Sequence, residues 1–506
     1  MRRTVRKIEF GDFQTPDELA AAACRILVER GACPRTIIEP TCGTGTVLLR
    51  AAKSFPEATH LLGLEINKAY FEQARRRADA SRLSQSIDLR GADFFSFDWS
   101  AAVSQLPKPI LVIGNLPWVT SSQLGAINGQ NLPEKSNFQQ LRGLDARTGK
   151  SNFDIAEWMM IRLLEIMGDQ PVAIAMLLKS SVVRRLLSYA WSRQRPVWKA
   201  DFYRFDAQRW FGASVDAGLF VCEPNNGPAE PVCSMRELDA PQQVSHHLSI
   251  RGNELTPDSA AFDATGRLSM ERGNDTQYRW RSGVKHDCGP VLELRQTSRG
   301  LVNGLGEHVD VEEPLVYPPL KGSAIAADKT VGQSRYILLP QRSTSEETAK
   351  LRQSAPKAWG YLKAHCENFA ARRSSIYRGR PEFSIFGVGP YTFDPWKVAI
   401  CGLYKRLKFL VVGPRDGRPT VFDDTVYFLS CKTELEANLL FELLQLPAAH
   451  DFFEARLFWD AKRPITAQLL NRLSIRRLAE EAGKAHELAA ASPRHSRGSE
   501  LSPMLF

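Results

Sequence analysis

The sequence contains no Cys-x-x-Cys pair. Its nine cysteines are scattered through 506 residues as an odd, unpatterned set, which excludes a disulfide frame and argues against a zinc site or any other required metal. Such thiols fit a reduced, cytoplasmic protein. No run reaches the roughly 18 apolar residues of a transmembrane helix, so no membrane partner is expected. The opening MRRTVRKIEF is basic but lacks the apolar stretch of a signal peptide. There is no Gly-Lys-Ser/Thr phosphate loop and no full Gly-x-Gly-x-x-Gly, which argues against a Walker-type nucleotide site. Internal repeats and long low-complexity tracts are also missing.

What remains is a globular composition, 43% hydrophobic and 24% charged, in a chain long enough for two or three domains. The net charge is +10, and it is unevenly placed. Residues 351–415 hold twelve Lys or Arg against three acids, interleaved with Tyr377, Phe383, Phe386, Tyr391, Trp396 and Tyr404. A basic stretch with interleaved aromatics points to an anionic partner, and nucleic acid fits best.

The N-terminal half alternates strand and helix patterns. Residues 17–30 have helical spacing after Pro16. Short β-rich runs follow at TIIEP (36–40), HLLGLEI (60–66), SIDLRGADFF (86–95), PILVIGNLPW (109–118) and PVAIAMLLK (171–179), with ADFYRF and DAGLFVCE closing the series. Alternation of this kind predicts a mostly parallel α/β sheet covered on both faces. Ligands of such sheets sit outside the carboxyl ends of the strands. The polar features gather at those ends. EPTCGTG (39–45) places Gly43 and Gly45 between a strand and a helix, where backbone can approach a ligand. Glu65 ends the second strand, placed for two ribose hydroxyls. Asp93 follows the third, placed for an adenine amine. Glu39 ends the first, near the amino-acid end of a ligand. Three acids at successive strand ends suit an adenosine that carries an amino acid, which describes S-adenosylmethionine.

The ordered set FQTP (13–16), EPTCGTG, LGLEI, GADFF and GNLPW (114–118) resembles the gamma-class adenine-N6 DNA methyltransferases over essentially the whole chain. DAQRWFGASVDAGLF (206–220) resembles their late aromatic motif, and 315–475 more loosely their target-recognition domain. The resemblance implies a Rossmann-like class I methyltransferase sheet followed by a C-terminal α+β DNA-recognition domain. It implies that Phe13, Gln14, Thr15, Pro40, Cys42, Ile66, Phe94 and Asn115 join Glu39, Gly43, Gly45, Glu65 and Asp93 around the cofactor. The expected boundaries are a catalytic domain at 1–223, a Pro/Asn/Gly-rich linker at 224–245, a recognition domain at 246–480 and a helical or disordered tail at 481–506.

The motif Asn-Leu-Pro-Trp has a chemical reading. Adenine N6 is a poor nucleophile because its lone pair is delocalised into the ring. An acceptor on each N–H draws the amine toward tetrahedral geometry and frees the lone pair. Asn115 offers its side-chain oxygen, and the carbonyl of Leu116 or, as the family implies, Pro117 offers the second. Proline restrains that carbonyl in advance. Trp118 offers a stacking surface for a base flipped from the duplex. Phe211 is the candidate for the base's opposite face, with Trp210 its rival, and Phe153 or Asp154 for its edge. The polar stretch 119–153 is expected to order over the base, with Lys135, Arg142, Arg147 and Lys150 near phosphates. Arg372, Arg373, Arg378, Arg380, Lys405, Arg406 and Lys408 are the expected contacts to double-stranded DNA. The family usually has proline at the position of Leu116. An Asn-Leu-Pro core also occurs in ribosomal-RNA adenine dimethylases, so an RNA substrate stays open, as does a non-catalytic DNA-binding subunit. Because the cofactor motifs begin at residue 13, cleavage is expected from a separate cognate restriction endonuclease.

Overall fold

Ile37, Ile38, Leu61, Leu62, Leu111, Val112 and Ile113 are all at most 2% exposed. They can be so only if their strands are covered on both faces, which is why these runs read as continuous apolar stretches. The computed structural model describes residues 13–119, 154–167, 172–194, 197, 199–223, 231–270, 277–327, 334–461 and 463–492. Among them no helix is long and apolar enough to cross a membrane.

The first compact unit extends to Ser259. Its strands are β1 (Thr36–Glu39), β2 (His60–Leu64), β3 (Ser86–Arg90), β4 (Ile110–Asn115), β5 (Val172–Lys179), β6 (Lys199–Asp206), β7 (Asp216–Glu223), β8 (Val232–Glu237), β9 (Ala240–Arg251) and β10 (Glu254–Thr256). They form one sheet in the order β3-β2-β1-β4-β5-β7-β6-β8-β9-β10. β1 to β5 run parallel, and β7 runs antiparallel to both of its neighbours. This is the class I methyltransferase arrangement. The order reverses beside β1, whose Thr36 is in register with His60 on one side and Ile110 on the other. Glu39, Glu65 and Asn115 therefore leave the sheet at one edge, on either side of the switch point.

Among the described residues the helices of this unit are α1 (Asp17–Glu29), α2 (Thr46–Ser54), α3 (Lys68–Ala80), α4 (Trp99–Ser104), α5 (Ile155–Met167), α6 (Ser180–Ser192) and α7 (Ala207–Phe211). Leu19 and Leu27 of α1 and Val47 and Leu48 of α2 pack on Ile37, Leu61 and Leu111. Each such aliphatic side chain contributes roughly 1.5–3 kcal/mol by burial. Asn67 caps α3, its side-chain oxygen accepting from the amides of Ala69 at 3.0 Å and Tyr70 at 3.4 Å.

Two boundaries read from sequence need correction. Much of the expected linker at 224–245 is strand: β8 and β9 add a hairpin to the sheet, with β8 parallel to β6. Cys233 and Met235 of β8 point into the protein. Buried Asp201 of β6 holds the addition in place, accepting from Arg236 Nε and Arg30 Nη1 at 2.7 Å each. The polar composition of this stretch hid a half-buried strand. The expected tail is also partly core, since the helix Ala485–Ala491 buries Leu488 and Ala491.

The second unit starts at Ala260. A four-stranded antiparallel sheet (Arg281–Ser282, Val426–Cys431, Trp396–Cys401, Phe409–Val412) packs against the helices Glu434–Leu444 and Pro447–Glu454. A five-stranded antiparallel sheet, with Glu293–Thr297 and Arg335–Leu338 at its centre, forms a second core with the helix Pro356–Ala364. The unit is α+β, as expected.

Candidate active site

The site begins with the turn between β1 and α2. Gly43 and Gly45 have φ of +52° and +79°, the left-handed region that other residues avoid. A Cβ on Gly43 would lie 2.7 Å from Gln14 Oε1, so the Gln14 side chain would have to shift to admit one. Gly45 is the N-cap of α2. The turn is tied to the next strand end, for Gly43 N donates to Glu65 Oε2 at 2.8 Å. Asn67 N donates to Glu65 Oε1 at 2.6 Å.

Glu39 is only 2% exposed, and Leu48 N donates to its Oε2 at 2.8 Å. Burial, with the Glu65 charge adding to it, holds the Glu39 carboxyl well above the usual range, against the Leu48 bond and Arg77. A buried carboxyl of this kind is suited to a cationic ligand group, which would restore its charged form. Burial likewise raises the Cys42 thiol above its ordinary value, which disfavours a reactive thiolate there.

At the tip of β4, Asn115 Nδ2 donates to the carbonyl of Phe13 at 2.9 Å. Only the amide nitrogen can face a carbonyl, so this bond fixes which way the carboxamide points. Its Oδ1 is buried and has no hydrogen-bond partner among the described residues. Thr41 Oγ1 donates to the Asn115 backbone carbonyl at 3.1 Å, steadying the same residue.

One pocket collects these groups. Phe13, Gln14, Thr15, Glu39, Pro40, Cys42, Gly43, Glu65, Ile66, Asp93, Phe94, Asn115 and Pro117 all line it. Tyr70, Phe95, Val119, Ile155 and Met159 line it too. Sequence reading did not single these out as pocket residues, nor Thr41, Thr46, Val47, Leu64 and Ala92, which also line it. Ile155 and Met159 lie one helical turn apart on α5, a spacing that could have marked them but that core helices share. Ile66 is 45% exposed, an apolar side chain left open at the rim. The acids, the glycine cradle and the unpaired carboxamide oxygen fit an adenosine-bearing amino acid.

Trp118 and Phe211 do not line this pocket. Trp118 is 7% exposed, and its Nε1 donates to the Leu177 carbonyl at 3.3 Å. Its ring meets Phe211 edge-on, with centroids 5.1 Å apart at 67°. The expectation that a base lies between them is corrected for this state, because the rings already touch. Trp210, the rival, is half-buried against the sheet core. Asp154 is buried and paired with Lys179. Phe153, Lys135, Arg142, Arg147 and Lys150 lie outside the described residues.

In the second unit, Arg373, Arg378 and Arg380 are exposed along one concave surface. Arg372 lines it but is turned inward, and the expected DNA contact is corrected there. Its Nη1 donates to the Ser384 carbonyl at 2.6 Å, and its guanidinium lies 3.8 Å from the Tyr377 ring centre. Lys405 and Arg406 are exposed, and Lys408 is half-buried beside them.

No family model matches the chain. A curated relative does: the chain is 44% identical to the type II methyltransferase M.NspV of Nostoc sp. over 474 residues, covering 94% of this chain and 98% of that one. The chain belongs to the type II methyltransferases. Its cofactor is S-adenosylmethionine. Among solved structures, the type IIL restriction–modification enzyme MmeI in complex with DNA has a similar fold, with a TM-score of 0.56 at 13% identity. That match covers 92% of this chain and 65% of MmeI. The chain is a methyltransferase of restriction–modification type, and its pocket lies beside β1, at the switch point of the sheet.

Proposed function

We propose that this type II methyltransferase methylates the N6 amine of an adenine flipped out of duplex DNA at a specific sequence, protecting that sequence from a separate cognate endonuclease. The observation that carries the reading is Asn115 Oδ1, a buried acceptor left unpaired while Phe13 fixes the rest of the carboxamide. An unmet buried acceptor costs about 1–3 kcal/mol, and an incoming N–H donor removes that cost. Glu65 and Asp93 would hold the ribose and adenine of the cofactor, Glu39 its ammonium, and the glycine turn its backbone approach. When bound, the cofactor supplies a methyl group on an electrophilic sulfonium.

Asn115 Oδ1 accepts one N–H of the target amine, and the Leu116 or Pro117 carbonyl accepts the other. Both are set before the substrate arrives, so little reorganisation opposes the reaction. The amine becomes tetrahedral and its lone pair is aimed, which makes positioning the main contribution of the protein. Stacking the base on Trp118 is worth roughly 1–3 kcal/mol and requires Phe211 to turn aside. Residues 260–492 carry target recognition in this reading, with Arg373, Arg378, Arg380, Lys405 and Arg406 meeting the DNA. Incubation with labelled cofactor and either unmethylated plasmid or total RNA, followed by nucleoside mass spectrometry, tests the reading. N6-methyladenine from the plasmid is expected; N4-methylcytosine, or label in RNA alone, would overturn it.

A further inference from the structure

The short segment Phe13–Gln14 touches both halves of the site. Gln14 Oε1 accepts from Thr44 N at 3.2 Å and from Thr44 Oγ1 at 3.1 Å, so it sits on the glycine turn of the cofactor pocket. One residue earlier, the Phe13 carbonyl accepts from Asn115 Nδ2 at 2.9 Å, across 102 positions of sequence. The Phe13 ring lies 5.6 Å from Trp118 and 5.9 Å from Phe211, centroid to centroid. Two consecutive residues thus contact the cofactor turn, the carboxamide and the aromatic pair.

We propose that Phe13 is a positioning residue for methyl transfer: its ring, packed against Trp118, holds its carbonyl where it turns Asn115 Oδ1 toward the target amine. This rests on the reading of Asn115 given above. The geometry has a physical cause. A carboxamide with no partner on its nitrogen rotates about its last torsion, which is broad and roughly two-fold. The Phe13 carbonyl removes that freedom, and the ring packing keeps the carbonyl from drifting. Gln14 extends the link to the cofactor side, so a ligand that settles the glycine turn also steadies the carboxamide. Such a link makes cofactor and target binding reciprocal.

Single-turnover methyl transfer from tritiated S-adenosylmethionine to unmethylated plasmid DNA tests this, at saturating cofactor and DNA. Phe13→Ala is expected to slow transfer about 10²-fold, the scale of losing one preorganised group, while cofactor affinity measured by calorimetry moves far less. Phe13→Tyr, which keeps the ring, should restore the rate to within a few-fold. A wild-type saturated rate for Phe13→Ala, or a loss confined to cofactor affinity, would make Phe13 a pocket wall only and overturn the proposal. Equal losses in Phe13→Tyr and Phe13→Ala would also overturn it. Should Phe13→Ala unfold, as thermal melting would reveal, Gln14→Ala and Phe13→Leu replace it, and an unchanged saturated rate in both again refutes the link. Asn115→Ala is run in parallel: if that variant keeps full activity, the reading of Asn115 fails, whatever Phe13 does.

Discussion

A carboxyl group with its own amide donor is still an uncomfortable thing to bury, and Glu39 carries the consequence. Its folded-state value lies above the unfolded one, because burial outweighs the Leu48 bond. The sign follows: Glu39 is no burden while protonated, and the free protein loses stability as pH rises from the unfolded carboxyl range to the raised folded value. Glu39→Gln is therefore expected to raise the melting temperature of the free protein near neutral pH. The same change should weaken cofactor binding about 10–100-fold, the scale of a hydrogen bond to a charged group. Cofactor affinity of the wild type should fall as pH drops through the raised value, since the cationic amine needs the charged carboxylate. Calorimetric titration across that pH range checks both, and a Glu39→Gln protein with wild-type affinity would remove Glu39 from the ligand set. The acids and glycines of the pocket were legible because each sits at a strand's end, where chain chemistry and fold geometry coincide. The Phe13–Asn115 bond was not, because nothing local ties a carbonyl at 13 to an amide at 115.

Elements explain the next layer. The parallel strands were legible as apolar runs because both of their faces are covered. β8 was not, since only Cys233 and Met235 of its six residues are buried and the polar remainder looks like a linker. Asp201 makes that strand part of the sheet by accepting from Arg30, just past α1, and from Arg236 of β8. Asp201→Ala is expected to cost on the order of 3 kcal/mol, as for other broken buried ion pairs, read from denaturant unfolding, with methyl transfer preserved in whatever protein stays folded. On the other flank, a Cβ at Gly63 of β2 would lie 2.7 Å from Leu89 Cδ2 and 3.0 Å from Leu48 Cδ2. Gly63→Ala should then cost about 1–3 kcal/mol through overpacking. A neutral result at either position would mean the sheet relaxes more freely than its packing implies.

At the scale of the whole molecule, the chain is two compact units, one holding the pocket and the other the basic cluster. The cluster was legible as composition, but its members could not be sorted without contacts: Arg372 serves the interior while Arg373, Arg378 and Arg380 stay exposed. Changing those three to Ala should lower the magnitude of the salt slope of DNA binding by up to about three, near 0.9 per lost phosphate contact, while Arg372→Ala should act on stability. Fluorescence anisotropy over a salt series separates the two. The account as a whole turns on the carboxamide oxygen at the tip of β4. Its most direct test is the single-turnover rate of Asn115→Ala, measured beside its cofactor affinity. The account predicts a rate at least about 10²-fold lower with cofactor affinity little changed; a variant that transfers methyl groups at the wild-type rate would contradict it.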